Sequence, residues 1–401
     1  MSESASQWFS ESAVQRGGRL GARVVRWVLA GLILLGVGGC GPAWQAEVVQ
    51  PDGSSFVVDK TVLTSLSDFA VEVDGRPQVP LERVLLAAGH RVVERLVVMD
   101  VDGARLEFEW EAVADGDPLW LSNGRLAIGD EEFQVTNLQV EPSALVDDVG
   151  ADITDIAPTI TAALGLPAPA QATGRPLETS PADHVLLIFL DGFGYVRYIE
   201  ALDDGLIPYI ATLDAPLVAL TTYPPCTAVA TASLLTGAPP GVHGVTERNV
   251  RQTEVETLFD VANAAGLRVK AVEGNALSFN LRNADIVLSG DRDGNGGTDD
   301  NVLSNALAAL EGGMPDLFFV HFHGIDDAGH EYGPDAPAER AKITEVDAAV
   351  EQIIAAVPSD TLIVIFSDHG MHHVDEQGRQ GNHGHLVERD MFIPIQLTMK
   401  Q

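Results

Sequence analysis

HVLLIFLDG, residues 184–192, is an unbroken apolar run that ends on a carboxylate and a glycine. A short run without alternation, closed by a turn residue, reads as a strand buried on both faces. Two later stretches repeat the plan. DLFFVHFHGIDDAGH, residues 316–330, delivers Asp326 and His330, and TLIVIFSDHG, residues 361–370, delivers Asp368 and His369. GNHGH, residues 381–385, adds His383. Working outward, strands are predicted at 184–190, 216–221, 268–272, 316–322, 361–366 and 391–397. Helices are predicted at 153–164, 227–235, 255–265, 301–311 and 337–356. This alternation over 152–401 predicts an α/β fold, a mostly parallel sheet covered by helices on both faces. The ligand crevice of such a sheet lies outside the carboxyl ends of its strands. Asp191, Asp326 and Asp368 all fall just past strand ends, so they converge there despite their separation in sequence.

Carboxylates and imidazoles at strand ends are donors for divalent zinc, and a catalytic site keeps one position open for substrate. Two ions about 4 Å apart can clamp the attacking and leaving oxygens of an in-line phosphoryl displacement. Six ligands, three to each ion, fit that plan. Asp326 and His330 share a face if they lie on a helix, or meet across a tight bend at Gly329 if they lie in a loop. Asp368 and His369 are adjacent and point different ways, which suits two ions better than one. Thr227 opens TAVATASLLTG, residues 227–237. At a helix start its hydroxyl faces free N–H groups and the positive end of the dipole, and an alkoxide there is stabilised as a nucleophile.

These stretches resemble the alkaline phosphatase superfamily, and most closely its type I phosphodiesterase/nucleotide pyrophosphatase branch. FLDGFG (189–194) matches that branch's first-metal-ligand strand, and YPPCTAVATASLLTGAPPGVHGV (223–245) its nucleophile stretch. IDDAGHEYGP (325–334) matches D-x-x-G-H-x-x-G, FSDHGM (366–371) matches D-H-G-M, and GNHGHLVERDMFIPI (381–395) resembles an ending also seen in ethanolamine phosphate transferase relatives. The resemblance covers nearly all of 182–400. It implies two divalent metal ions, zinc being the expected element. Asp191, Asp368, His369 and Thr227 would hold one, and Asp326, His330 and His383 the other. Thr227 would attack phosphorus and form a covalent intermediate that water hydrolyses. The branch carries Pro-Asn two and three residues after the nucleophile, where this chain has Val229 and Ala230. That removes one phosphate donor, for which Asn249 and Asn275 are candidate replacements. The resemblance also shows an inverted order. ITDIAPTITAALGLPAPAQATGRPLE (153–178) resembles a segment that elsewhere follows the last metal histidine, which implies a circular permutation; similarity in a linker is the alternative.

Other residues have plainer readings. His385, His372 and His373 are substitutes for His383. His321 and His323 alternate at a strand end as structural histidines, one of them able to line the pocket, and His243 reads as structural. Cys226 precedes Thr227, but the sulfatase pattern C-x-P-x-R fails at Ala228 and Ala230, so it reads as a small hydrophobe. Asp291, Asp293 and Asn295 in DRDGNGGTDD (291–300) resemble the start of a calcium loop. Its twelfth position is Val302 rather than the bidentate Glu, so an acidic surface turn is the alternative to a calcium site.

Residues 43–150 form a separate small β-rich module, with short alternating runs broken by Gly, Asp and Asn and one helix in VPLERVLLAAGH (79–90). It faintly resembles the core of sulfite-oxidase-like molybdopterin domains, but lacks a cysteine to ligate molybdenum and reads as non-catalytic. The catalytic domain is then 151–401. Residues 1–40 carry Arg16, Arg19, Arg23 and Arg26 ahead of an apolar run, Trp27 to Val37, that ends in Gly38-Gly39-Cys40. This is a signal-peptide pattern that resembles a bacterial lipobox, with Cys40 as the lipidated residue. An uncleaved anchor is the alternative, and both readings place the remainder outside the cytoplasm, tethered to the membrane. The formal charge is −34, from 24 basic and 58 acidic residues, which excludes a nucleic-acid-binding protein because phosphate backbones need a basic face. The expected activity is hydrolysis of a phosphate diester, or a related phosphate or phosphonate bond, in a small-molecule, lipid or glycan substrate. A phosphomonoesterase, a phosphonate hydrolase and a phosphoethanolamine-type transferase remain alternatives on the same scaffold. The absence of cationic groups in 227–240 favours the diester. A non-catalytic surface module stabilised by metal is the alternative from another class.

Overall fold

The structure is a computed structural model and describes residues 44–50, 52–376 and 378–401. The signal-peptide and lipid-anchor expectation for residues 1–40 lies outside the described residues. Among those described, no helix is long and apolar enough to cross a membrane.

The α/β part is built on an eight-stranded sheet. Its strands are β1 (Ala151–Asp152), β2 (His184–Leu190), β3 (Leu217–Leu220), β4 (Val269–Glu273), β5 (Asp285–Leu288), β6 (Leu317–Phe322), β7 (Thr361–Phe366) and β8 (Phe392–Met399). Their spatial order is β1-β3-β8-β7-β2-β6-β4-β5. β8 runs antiparallel to both β3 and β7, and every other pairing is parallel. The three apolar runs of the sequence are the three central strands, β7, β2 and β6. Phe189 stands opposite both Phe366 and His321, so the ends of these strands are level and the residues after them share one edge.

Helices cover both faces, as the apolar runs require. On one face, α1 (Ile156–Ala163), α3 (Thr227–Thr236) and α4 (Leu258–Ala264) pack on alternate side chains such as Leu187, Phe319 and Val364. On the other, α5 (Asp299–Glu311) and α7 (Pro337–Ala356) cover Leu186, Ile188, Phe318 and Ile363. The helix α2 (Tyr195–Asp203) follows β2, and α6 (Gly324–Tyr332) follows β6. Gly237 ends α3 in the left-handed region (φ 65°), a conformation only glycine adopts freely. The segment predicted to be displaced in the chain packs on this sheet: β1 pairs with β3, and Ile153, Ile156 and Ile160 join the core formed with Phe189 and Ile393. A permuted scaffold requires this placement.

The strands of the N-terminal module form two five-stranded sheets. Its apolar core is not closed on itself. Leu81, Val84, Leu96 and Trp110 belong to one buried cluster with Leu220, Leu386, Val387, Met391 and Phe392 of the α/β part.

Candidate metal centre and nucleophile

Asp191 follows β2 directly, and its N–H donates to Phe322 O at the end of β6 (3.0 Å). Asp368 and His369 follow β7. Asp326 and His330 lie in consecutive turns of α6, so the helical alternative holds, and His330 Nε2 is 3.3 Å from Asp326 Oδ2. Thr227 is the first residue of α3, and its Oγ1 lies 3.4 Å from His369 Nε2. The six predicted ligands and the hydroxyl therefore gather at one edge of the sheet.

Three imidazoles are oriented by backbone carbonyls. His369 Nδ1 is 3.0 Å from Gly370 O, His330 Nδ1 is 2.9 Å from Gly381 O, and His383 Nδ1 is 2.8 Å from Pro225 O. For His369 and His383, donation from Nδ1 to a carbonyl leaves the Nε2 lone pair for a cation, whereas His330 Nδ1 also accepts from Arg379 Nε–H (3.2 Å). His369 Nε2 lies 3.2 Å from Asp368 Oδ2 and 3.6 Å from Asp191 Oδ1, and His383 Nε2 lies 3.8 Å from Asp326 Oδ1. Those three carboxylate oxygens are buried and accept no hydrogen bond. A buried carboxylate oxygen without a partner is costly, and a bound cation offsets that cost. Asp191, Asp368 and His369 form one group with ligand atoms within 4.8 Å of one another, and Asp326, His369 and His383 form a second. The donor set fits two divalent ions with His369 between them. His330 stands at the rim of the second group, its Nε2 3.3 Å from Asp326 Oδ2 and 2.9 Å from Arg379 Nη2.

Electrostatics follow the same division. Burial, reinforced by the Asp191 carboxylate, pushes the Asp368 carboxyl up to about 7. Burial acts on Asp191 as well, but hydrogen bonds from His321 and His323 outweigh it and hold that carboxyl well below its ordinary value. Burial, reinforced by the neighbouring His369, His330 and Arg248, holds His383 well below its ordinary value. His383 is then a neutral imidazole, the form that ligates a metal.

The substitutes for His383 stand elsewhere. His385 faces Glu82 and Asp115 of the N-terminal module, His372 lies between Asp390 and Asp115, and the His373 side chain is exposed. His243 is buried on Ser233 Oγ (2.9 Å) and Cys226 is a buried free thiol, both in the structural roles expected. Asn249 and Asn275 are exposed. In the acidic loop, Asp291 and Asp293 accept backbone N–H groups from Gly294, Asn295 and Gly296.

Sequence reasoning missed four polar residues at or beside the site. Arg248 reaches to 3.4 Å from His383 Nε2, bringing to the pocket a cation that 227–240 lacks. Glu273 ends β4 and contacts His321 and His323; the rule that found Asp191, a carboxylate at a strand end, would have found it too. Glu82 and Asp115 come from the other module, and no local pattern marks them.

A profile of the family "Type I phosphodiesterase / nucleotide pyrophosphatase" matches residues 185–265 and 278–393. Among curated proteins, the mouse GPI ethanolamine phosphate transferase 3 catalytic subunit is 33% identical over 94 residues, covering 23% of this chain and 8% of the relative. The Saccharomyces cerevisiae GPI ethanolamine phosphate transferase 3 is 44% identical over 69 residues, covering 17% and 6% respectively. The chain thus spans less than a tenth of the length of these relatives. Among solved structures, the phosphonoacetate hydrolase of Sinorhizobium meliloti superposes with a TM-score of 0.40 at 17% identity, over 52% of this chain and 62% of that one. The murine ectonucleotide pyrophosphatase/phosphodiesterase 5 gives 0.41 at 20%, over 48% and 59%.

Proposed function

Because the α/β region of this chain belongs to the type I phosphodiesterase/nucleotide pyrophosphatase family, we propose that it cleaves phosphate diesters, or related phosphate or phosphonate bonds, through a covalent phosphothreonine at Thr227. The observation that carries this reading is the convergence of three unpartnered carboxylate oxygens, on Asp191, Asp326 and Asp368, beside a hydroxyl 3.4 Å from His369. Asp191, Asp368 and His369 would hold one divalent ion, and Asp326, His330 and His383 the other, with zinc the expected element. When bound, such ions supply Lewis-acid stabilisation of phosphoryl oxygens. Thr227 Oγ1 forms the bond to phosphorus as the bond to the leaving alcohol breaks. Water then cleaves the threonine–phosphorus bond and restores the hydroxyl. The N-terminus of α3 points free N–H groups at the same place, which favours the anionic oxygens of the substrate. Arg248 adds a second cationic contact beside His383.

The test is metal content together with hydrolysis of aryl phosphate monoesters and diesters, for the wild type and Thr227→Ala. Two ions in this pair of sites and loss of turnover in the variant, with the ions retained, are expected. Unchanged turnover in Thr227→Ala would remove the nucleophile assignment. Metal-replete protein that turns over no phosphate or phosphonate ester would favour a binding module.

The similarity to ethanolamine phosphate transferases supports a second reading, transfer of the phosphoryl group from Thr227 to an alcohol. Adding ethanolamine or glycerol to the diester assay distinguishes the two, since a transferase yields a new diester in place of the phosphate monoester that hydrolysis releases. The extracytoplasmic, lipid-anchored location belongs to the same proposal. Labelling with a radioactive fatty acid, lost in Cys40→Ala, tests it.

A further inference from the structure

Arg83 lies on the helix Leu81–Ala87 of the N-terminal module and is partly exposed. Its guanidinium carbon stands over two rings at once, 4.3 Å from the centre of Phe69 and 4.7 Å from that of Tyr223. Ring contacts engage the face of a guanidinium, while its N–H donors point outward in the plane. Those donors have no acceptor: among the described residues, Arg83 makes no hydrogen bond and no ion pair. This is unusual company for a cation in a chain with 58 acidic residues and 24 basic ones. Even Glu82, its neighbour in sequence, is engaged elsewhere. Glu82 Oε2 accepts from the Tyr223 hydroxyl (2.6 Å), and its Oε1 accepts from the Leu386 N–H (2.7 Å).

Tyr223 fixes where this cation stands. β8 is antiparallel to both β3 and β7, so β3 and β7 point the same way. Tyr223 comes soon after the end of β3 and therefore lies at the edge of the sheet that carries Asp368 and His369. Only β8 separates β3 from β7, a lateral distance of about 10 Å. Along the chain, Tyr223 and Thr227 can be no more than ~14 Å apart. Between them, Pro225 O lies 2.8 Å from His383 Nδ1. Arg83 thus stands on the wall of the crevice, within reach of a substituent on a substrate bound at Thr227. Arg248, by contrast, stands beside His383 itself (3.4 Å). The two rings hold the Arg83 fork in place before a ligand arrives, which lowers the entropy lost on binding. A planar fork with free in-plane donors matches the oxygens of a carboxylate or a phosphate. Asp115, which the module brings to the same region, is already engaged by Asn382 (3.0 Å) and His372 (3.1 Å).

We propose that Arg83 binds an anionic oxyacid group, a carboxylate or a second phosphate, carried on one of the two organic arms of the diester. The N-terminal module then takes part in choosing the substrate. This rests on the phosphodiester reading of Thr227. Arg248 serves the phosphoryl group under attack, and Arg83 serves the charge beyond it. An arm that ends in an ammonium group is disfavoured beside Arg83, because like charges repel.

The experiment uses symmetric diesters, so that either arm can leave and both carry the same group. Bis(carboxyalkyl) phosphates over a series of arm lengths are compared with hydroxyalkyl and trimethylammonioalkyl diesters of equal length. Products are read by mass spectrometry on the full-length, metal-loaded protein. At the best arm length, kcat/KM for the carboxylate is expected to exceed that for the hydroxyl by about 10-fold, through KM rather than kcat. That ratio should vanish in Arg83→Gln. In Arg83→Lys, which keeps the charge and loses the planar fork, it should be intermediate. A purely structural Arg83 would lower all rates together and leave the ratio unchanged, which overturns the proposal. A wild type that prefers the trimethylammonio diester also overturns it, because the exposed Asp117, which acts on Tyr223 electrostatically, would then outweigh Arg83. Calorimetric binding to metal-loaded Thr227→Ala, with and without Arg83→Gln, separates the subsite from the reaction. If no diester is turned over, yet the carboxylate diester binds about 10-fold more tightly than the hydroxyl one and loses that margin in Arg83→Gln, the subsite stands and the phosphodiester reading falls. Equal affinities at every arm length overturn the subsite, whatever the turnover.

Discussion

Arg248 is the residue that most changes the chemistry expected of this pocket. Its guanidinium stands 3.4 Å from His383 Nε2 on an exposed segment after α3. A charge-assisted contact to a phosphoryl oxygen strengthens substrate binding, and more so for a dianion than a monoanion. Arg248→Ala should raise KM by roughly 10-fold, with a smaller fall in kcat, and the penalty should be larger for aryl monoesters than for diesters. Steady-state kinetics on the two substrate types measures this directly, and equal losses in both would mean that Arg248 does not touch the phosphoryl group. A single position after β7 has the opposite character, since it is set by space rather than charge. A Cβ at Gly370 would come 1.9 Å from Arg389 O and 3.0 Å from Gly194 Cα. Gly370→Ala must therefore displace the backbone that carries Asp368 and His369, at a cost of about 1–3 kcal/mol or more. The expected outcome is a lower denaturation midpoint and weaker zinc binding together. A full complement of zinc with normal stability would show that the backbone yields there freely.

At the scale of elements, the strand ends were legible in the sequence because burial on both faces leaves a simple trace: an apolar run, then a carboxylate where the run meets the crevice. Asp191, Asp326 and Asp368 follow that trace, and so does Glu273 in VKAVEG (269–274). The short elements were not legible. β5 has only the three-residue apolar run Ile286-Val287-Leu288, the hairpin His372–Glu376 with Arg379–Asn382 has none, and each is held by its neighbours. That hairpin and the loop after it lie on a buried ionic network. His372 Nδ1 is 2.8 Å from Asp390 Oδ1, and its Nε2 is 3.1 Å from Asp115 Oδ2. Burial opposes the charge on His372, but the Asp390 and Asp115 carboxylates outweigh it and push its pKa up to about 10, from an ordinary 6.5. A folded-state pKa above the unfolded one contributes stability that is complete below about pH 6.5 and fades as pH rises through about 10. Denaturant midpoints measured from pH 6 to 10 should therefore fall across that range, by an amount worth on the order of 1–3 kcal/mol. In Asp115→Asn the fall should be smaller and the midpoint at pH 6 lower. A wild-type profile flat from pH 7 to 10 would mean that His372 is uncharged when folded.

For the whole molecule, the question is whether residues 44–150 are an appendage or a wall of the site. Composition and turn chemistry marked them as a separate β-rich unit. What sequence could not carry is the long-range pairing, because the partners lie hundreds of residues apart and share no local pattern. Glu82 Oε1 accepts the Leu386 N–H (2.7 Å), and Val93 N–H donates to Leu386 O (2.8 Å). Asp115 accepts from Asn382 (3.0 Å) on one side of His383, and His385 lies between Glu82 and Asp115 on the other. The loop that carries His383 is thus clamped by the module at both ends. Beneath it, Leu386, Val387, Met391 and Phe392 are buried in a core to which the module contributes Leu81, Val84 and Trp110. Removing the module would expose that apolar face and release the loop. A chain of residues 151–401 alone should be poorly soluble or melt without a sharp transition, and should lose the ion proposed for Asp326 and His383 before the one proposed for Asp191 and Asp368. The longer chain should unfold in one transition, because a shared core couples its two parts. Calorimetry and metal analysis of both chains decide the matter. If residues 151–401 melted sharply with the same metal content and turnover as the longer chain, the N-terminal module would be a detachable appendage, and the clamp on the His383 loop would be without consequence.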